Sequence, residues 1–454
     1  MHLRYLSIGL GVAVIACGSN PGPATTAESG GVTYHGAIRP LIEANCLGCH
    51  VEGGSGPFRL DSLASVTDVR ELVVGAVKSR IMPPWPASKD CHDLRDVRSL
   101  DDAQVALFES WKSAGFPDGD EKDYRPPAKI VGPQLGEPTQ IMTVKAGYVP
   151  NPAITDEYRC FLLEQVFDQD TYVTAMDIRP GVVSQVHHVQ VHKFSTAQLS
   201  AVQALDDAAA GEGYPCGGVS GVSTVNMFSW RPGSQPVTWE PGDAALMEAG
   251  SAIILQVHYN NQFLPPGQSP LPDQSGVAFW TLPAGEIPER IVVRTGQFGP
   301  VGPTTSFPTG MIPAGDPHVV GEASAPLSRL SSVNGRFLAG EIIGMTPHMH
   351  TLGTRLSSTL KRTDGSESCM IDVPNWDFEW QFDYSYAAPT TYTADDTLSV
   401  RCEYDNSPAH QPMLNGERIQ PRNVTWGEGS LAEMCLNYVW FRYDRAAFVA
   451  ARQP

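Results

Sequence analysis

The 454-residue chain is 42% hydrophobic with a formal charge of −18. That is enough apolar residue for real cores, and the wrong sign for nucleic acid, whose phosphates select a basic face. At roughly 150 residues per domain the length has room for about three domains, and the acidic charge, spread along the chain, reads as solubility.

At the N-terminus Arg4 gives a small basic region, and Leu6 to Ala16 is apolar, ending in Val14-Ile15-Ala16-Cys17. The run is shorter than the roughly 20 residues a bilayer takes, and it suits a signal peptide. Its end resembles a bacterial lipobox. Residues 1–17 would then be a lipoprotein signal, with a lipid on Cys17 holding the mature chain at the cell envelope, periplasm-facing or extracellular. An ordinary secretory signal with an incidental Cys17 is the competing reading. Residues 18–33, rich in Gly, Pro, Ser, Thr and Ala, read as a flexible tether.

Residues 34–119 carry a helical pattern. Val105, Phe108 and Lys112, with Leu107 and Trp111, form a stripe at three- and four-residue spacing; Asp101 and Asp102 start it and Gly115 stops it. Cys46-Leu47-Gly48-Cys49-His50 is a c-type haem signature, two thiols for the vinyl groups and an imidazole for the iron. A zinc or redox Cys-x-x-Cys is the alternative. Met82, in Ile81-Met82-Pro83-Pro84-Trp85-Pro86, is the candidate sixth ligand, against a plain buried Met beside Trp85. His35 and His92 are rival ligands or surface histidines. The domain resembles class I cytochromes c, which implies an electron carrier.

Residues 120–137, charged and Pro-rich, read as a linker. Beyond it short β-branched and aromatic runs recur, such as 252–259, 276–282, 290–293 and 398–404. They are separated by turns including Pro241-Gly242, Pro266-Gly267 and Pro313-Ala314-Gly315. This texture predicts antiparallel sandwiches. About 310 residues exceed one sandwich, so the fold expected is mainly β: two jelly-roll-type sandwiches, 138–284 and 285–454, behind a small all-α cytochrome c domain. Of nine cysteines, Cys17, Cys46 and Cys49 have roles already. The other six fit three disulfides with 15 connectivities.

The histidines come in clusters. His348 and His350, two apart, leave one face of a strand and can converge on a metal. His187 and His188 are adjacent and would diverge on a regular strand, so joint ligation needs a bulge or a strand end. His258 sits in an apolar strand, Leu255 to Tyr259. Imidazole suits copper, and a thioether such as that of Met434 favours Cu(I). Alone, each of these motifs is weak.

Taken in order, Gln185-Val186-His187-His188, Leu255-Gln256-Val257-His258-Tyr259, Thr346-Pro347-His348-Met349-His350 and Glu433-Met434-Cys435 resemble the copper type II, ascorbate-dependent monooxygenases, the peptidylglycine α-hydroxylating and dopamine β-monooxygenases. The resemblance spans residues from about 140 to 454. It implies a first copper on His187, His188 and His258, storing and delivering an electron across a solvent-filled cleft. It implies a second copper on His348, His350 and Met434, binding O2 and attacking a substrate carbon, with Tyr438 on the substrate side. Open three-ligand sites suit such chemistry. The resemblance also implies disulfides Cys402–Cys435 and Cys160–Cys216, which leaves Cys91 to pair with Cys369.

One departure concerns the substrate. Peptidylglycine hydroxylases place an arginine two residues before the first His of the His-x-His pair, and Thr346 stands there in this chain. The loss of that partner for a carboxylate argues against a peptidylglycine substrate. His192 reads as a core or surface residue, and His318 and His410 as loop residues. The expectation is an oxidoreductase that uses two coppers, one covalent haem and O2 on a small-molecule substrate, with no nucleic-acid partner. Ascorbate or a donor protein would be the reductant, and the haem, rather than or alongside ascorbate, would relay electrons to the first copper. The rival is a non-enzymatic copper-binding electron-transfer lipoprotein.

Overall fold

The computed structural model describes residues 31–453 except 53, 55, 129–134, 155, 217–220, 262–267, 299–310, 415–416 and 428. The signal segment, Cys17, the tether up to residue 30, part of the linker and the Pro266-Gly267 turn lie outside the described residues. Among the described residues no helix is long and apolar enough to cross a membrane.

The N-terminal segment is helical. A π-helical turn Tyr34–Ile38 runs into the helix Arg39–Asn45, followed by helices Leu63–Lys78 and Asp102–Ser113. Ser62 and Asp101 each close a capping box, so the orphan N–H groups of both later helices are satisfied from the first turn. The stripe Val105, Phe108 and Trp111 is buried against Tyr34, Ile38, Ile42, Val66 and Val77, a small core of its own. The start of the following charged stretch packs back on the first helix. Tyr124 hydrogen-bonds Glu43 (2.5 Å), and Arg39 lies 3.9 Å over its ring.

Residues 83–98 depart from the helical segment and form a strap on the C-terminal half. Ala87 enters that half's core, and Trp85 packs on Phe382 and Tyr384. The Ser88 N–H donates to Asp372 O (2.8 Å), the Arg95 N–H to Ser385 O (2.8 Å) and the Ala387 N–H to Asp93 O (2.8 Å). A disulfide Cys91–Cys369 closes the strap. His92 is neither a free surface residue nor placed with the haem motif. Its ring stacks on Tyr386 at 3.8 Å, and its Nε2 meets Thr390 Oγ1 at 3.0 Å.

The rest is mainly β. In the first half a five-stranded sheet runs in the order 214–215, 156–167, 251–260, 186–195, 225–230. It packs over a core of Phe161, Val189, Val257, Val277 and Phe279. In the second half a four-stranded sheet, in the order 319–326, 397–404, 353–361, 367–373, covers a core containing Leu356, Met370, Val400 and Phe441.

The partner sheets of the two halves are one continuous nine-stranded sheet rather than two. Strand Arg290–Phe298 pairs parallel with Asp243–Met247 on one side and antiparallel with Leu436–Asp444 on the other. Buried Asp243 fixes this seam by accepting from Arg290 and, at 3.1 Å, from Arg442. Removing one partner of such a buried pair costs about 3–5 kcal/mol. The seam therefore holds the two halves in one register.

Candidate metal centres

Strands 186–195 and 251–260 are neighbours, and their ladder slips by one residue between Val186 and His188. That bulge lets adjacent His187 and His188 turn toward one point with His258 opposite. The three Nδ1 atoms form a triangle of 3.1, 3.2 and 3.4 Å. Nitrogens held at about 2.0–2.1 Å from one tetrahedral metal would lie about 3.3–3.4 Å apart.

The His258 Nε2–H donates to Asp156 Oδ1 (2.9 Å), which fixes the tautomer and leaves Nδ1 as a lone-pair donor. Asn260 Nδ2 holds the same oxygen at 3.1 Å. Burial alone would raise the Asp156 carboxyl, but His258, His187 and Ser430 together outweigh it and the group lies below its ordinary value. Among the described residues this triad is a group of three ligand-type side chains able to share an ion.

The second cluster forms where strand Glu341–His348 ends beside the start of Leu436–Asp444. His348 pairs in register with Leu436, two residues after Met434. His348 Nδ1 is hydrogen-bonded to Gln381 Oε1 and His350 Nδ1 donates to Ala432 O (3.1 Å), so both Nε2 atoms carry the lone pair. These atoms face each other at 3.2 Å. Two lone pairs at that distance repel unless a cation lies between them.

Met434 is buried. Its carbonyl accepts from Tyr404 Oη (2.9 Å), and the next residue is fixed by the disulfide Cys402–Cys435. Glu433, fully buried, gathers the loop. Its carboxylate accepts the N–H groups of His350 (3.0 Å), Leu352 (2.6 Å) and Met434 (3.2 Å). Burial pushes this carboxyl up to about 8 against those donors.

Burial first, and neighbouring rings and guanidinium groups after it, hold His188 and His348 well below the usual imidazole range. Burial also holds His258 and His350 at about 4. At neutral pH these rings are uncharged and able to ligate.

Phe378 lies where the resemblance implies solvent between the two sites. Its ring stacks on His187 (5.0 Å, 22°) and meets His350 edge-on (6.1 Å, 87°). Glu379 Oε2 approaches His187 Nε2 to 3.6 Å. Gln381 ties the same segment down by donating Nε2–H to Phe378 O (2.7 Å). Neither Phe378 nor Gln381 has a ligand-type signal in the sequence. Each is found only through the fold.

Tyr438 is the register partner of Thr346. A guanidinium does reach this place, from another strand: Arg294 lies 3.9 Å over the Tyr438 ring, with its NH2 3.6 Å from Asp383. His192 is buried and hydrogen-bonded to Thr224 and Gln190, hence structural. His318 is exposed beside Glu403, and His410 closes a turn on Ser407.

In the N-terminal segment Cys46 and Cys49 are free thiols. The His50 Nδ1–H donates to Phe58 O (2.9 Å), leaving Nε2 for a metal. A Cβ at Gly56 would sit 2.6 Å from His50 Nδ1, so only glycine fits beside the ring. A cavity of about 540 Å³ opens next to Cys49, between Asn45, Leu47, Arg98 and Pro127. Free thiols, a fixed imidazole and adjacent space fit a covalently attached haem. Met82, half-buried, follows helix 63–78, its N–H on Ala76 O (3.2 Å). Trp85 turns away from it to the C-terminal half.

Residues 335–449 match the family model of the copper type II ascorbate-dependent monooxygenase C-terminal domain. The match takes in His348, His350, Met434 and Tyr438. Among curated proteins, none matches the chain. Of solved structures, the cowpea mosaic virus top component aligns over 64% of this chain and 89% of its own at 9% identity, TM-score 0.24. The infectious bursal disease virus VP2 particle aligns over 71% and 78% at 10% identity, TM-score 0.17. A putative secreted protein from Parabacteroides distasonis aligns over 67% and 88% at 6% identity, TM-score 0.15. Scores this low carry no argument.

Proposed function

We propose that this chain is a copper-dependent monooxygenase that hydroxylates a C–H bond of a small organic substrate. The overall balance is one O2, two electrons and two protons with the substrate, giving the alcohol and one water. The observation that carries the reading is the pair of convergent imidazole clusters, one of them inside the segment that matches the monooxygenase domain.

His187, His188 and His258 would hold one copper, and His348, His350 and Met434 the other. Bound copper supplies the one-electron redox chemistry and the activation of O2 that side chains lack. The protein's own part is to hold neutral imidazoles by burial and backbone contacts, to keep each site short of a full ligand set, and to exclude bulk water with Phe378. Cys46, Cys49 and His50 would hold a c-type haem that passes electrons to copper, alongside ascorbate or a donor protein. Cys17 would carry the lipid that keeps the enzyme at the bacterial cell envelope, periplasm-facing or extracellular.

The test is copper-loaded, reduced full-length protein incubated with candidate substrates under 18-O2. Labelled alcohol, absent from a His348→Ala variant that keeps its fold, is the expected result. Two bound coppers with no oxygen incorporation and no O2 uptake across a broad substrate panel would instead leave a copper-binding electron-transfer protein.

A further inference from the structure

We propose that the haem segment delivers its electron into the His348/His350 centre, through Phe382 and Gln381, and not into the first-half triad expected from the sequence. The inference rests on the haem and copper reading above and names the destination and the path.

The docking geometry carries it. The Cys-x-x-Cys-His loop does not hang on a free linker but lies against the first half, at a point that Phe382 of the second half also reaches. A Cβ built on Gly48 would lie 3.3 Å from Gln235 Nε2. A Cβ built on Gly233 would lie 3.5 Å from Cys49 Sγ and 3.8 Å from Phe382 Cε1. Cys49 and Phe382 therefore flank the same glycine, whose positive φ of 83° and missing side chain allow the close approach.

Arg98 clamps this junction. It donates to Gly233 O (2.5 Å), and its guanidinium lies 5.0 Å over the Phe382 ring. Cys49 would carry the porphyrin, and Phe382 is the aromatic side chain that shares the Gly233 junction with it. Phe382 is buried. The residue before it, Gln381, accepts from His348 Nδ1, the ring whose Nε2 faces the second centre. The path is a non-bonded passage at Gly233, the covalent chain from the Phe382 ring through one peptide unit to the Gln381 side chain, and one hydrogen bond.

The competing exit runs along Pro232 and Arg231 to Trp230, then across the ladder to Val189, beside His188. It crosses more peptide units and ends on a backbone rather than on a ligand ring. In the favoured route ferrous haem iron gives up one electron and a cupric ion at the His348 centre takes it. No proton need move along the path, because His348 Nδ1 keeps its hydrogen bond.

The experiment uses full-length holoprotein, with haem measured as its pyridine adduct and copper by elemental analysis. Absence of either group would defeat the underlying reading and is seen before any kinetics. With both present, the haem is reduced anaerobically in the cupric protein. Its oxidation is then followed optically, and loss of the copper signal by electron paramagnetic resonance.

Phe382→Leu is expected to slow haem oxidation by about tenfold or more at unchanged haem and copper content. His258→Ala should keep the fast phase, and His348→Ala should abolish it. A fast phase that survives His348→Ala and disappears in His258→Ala would overturn the proposal, whether or not the Phe382 variant folds.

Discussion

At the scale of single residues, what decides both centres is which ring nitrogen keeps its proton. His258 gives its Nε2–H to Asp156, His348 is pinned at Nδ1 by Gln381, and His350 gives Nδ1–H to the Ala432 carbonyl. The first cluster therefore presents a δ nitrogen and the second presents ε nitrogens. Asp156→Asn keeps the shape of the side chain but weakens its hold on the His258 tautomer. Affinity of the first centre should fall roughly 10- to 100-fold, with the second unchanged, as read by chelator competition. Equal weakening at both centres, or none, would contradict the assignment. The histidines themselves stand out in the sequence as pairs and as a lone ring in an apolar run. Their partners do not, because Asp156 lies 102 residues from His258 and Ala432 lies 82 from His350. An aspartate or a carbonyl at that remove carries no local pattern.

At the scale of elements, alternation and turn residues made the β character readable, and the run 252–259 is the core of strand Ser251–Asn260. The shared sheet was not readable. Its seam is a parallel contact between Asp243–Met247 and Arg290–Phe298, and nothing in either strand's own pattern specifies a neighbour across the boundary. The strap 83–98 escaped for a related reason. Its prolines read as a rigid loop, but which surface it lies on is set by Trp85 and Cys91 meeting distant partners.

The ligand loop 431–435 is also a tertiary product. Glu433 serves as the acceptor for three N–H groups, two of them beyond His348. Glu433→Ala would leave buried donors unpaired at about 1–3 kcal/mol each. The expected outcome is a destabilisation of about 2–4 kcal/mol in denaturant, with copper stoichiometry falling from two to one because His350 and Met434 lose their common anchor. Retention of both ions would show that the loop holds its ligands without the carboxylate.

At the scale of the whole molecule, the helical segment is bound to the β part by the strap, by the Cys49–Gly233–Phe382 junction and by one covalent link. Cys91–Cys369 joins residues 278 apart. A bridge over so long a loop restricts the unfolded chain strongly, and the chain-entropy relation gives roughly 5.6 kcal/mol. The strap's three backbone hydrogen bonds and the Trp85 stack are individually weak, and the effective concentration set by the disulfide makes them persist. A Cys91→Ala/Cys369→Ala double variant should therefore still fold its β sheets while the strap opens. Calorimetry should show the helical segment melting as a separate, earlier transition. Limited proteolysis should cut between residues 83 and 98, where the intact protein resists. Haem oxidation by copper should slow in the same variant, because the junction at Gly233 depends on Arg98 at the end of the strap. A single unshifted transition with undiminished electron transfer would mean that the two parts hold together through the Gly233 contact alone.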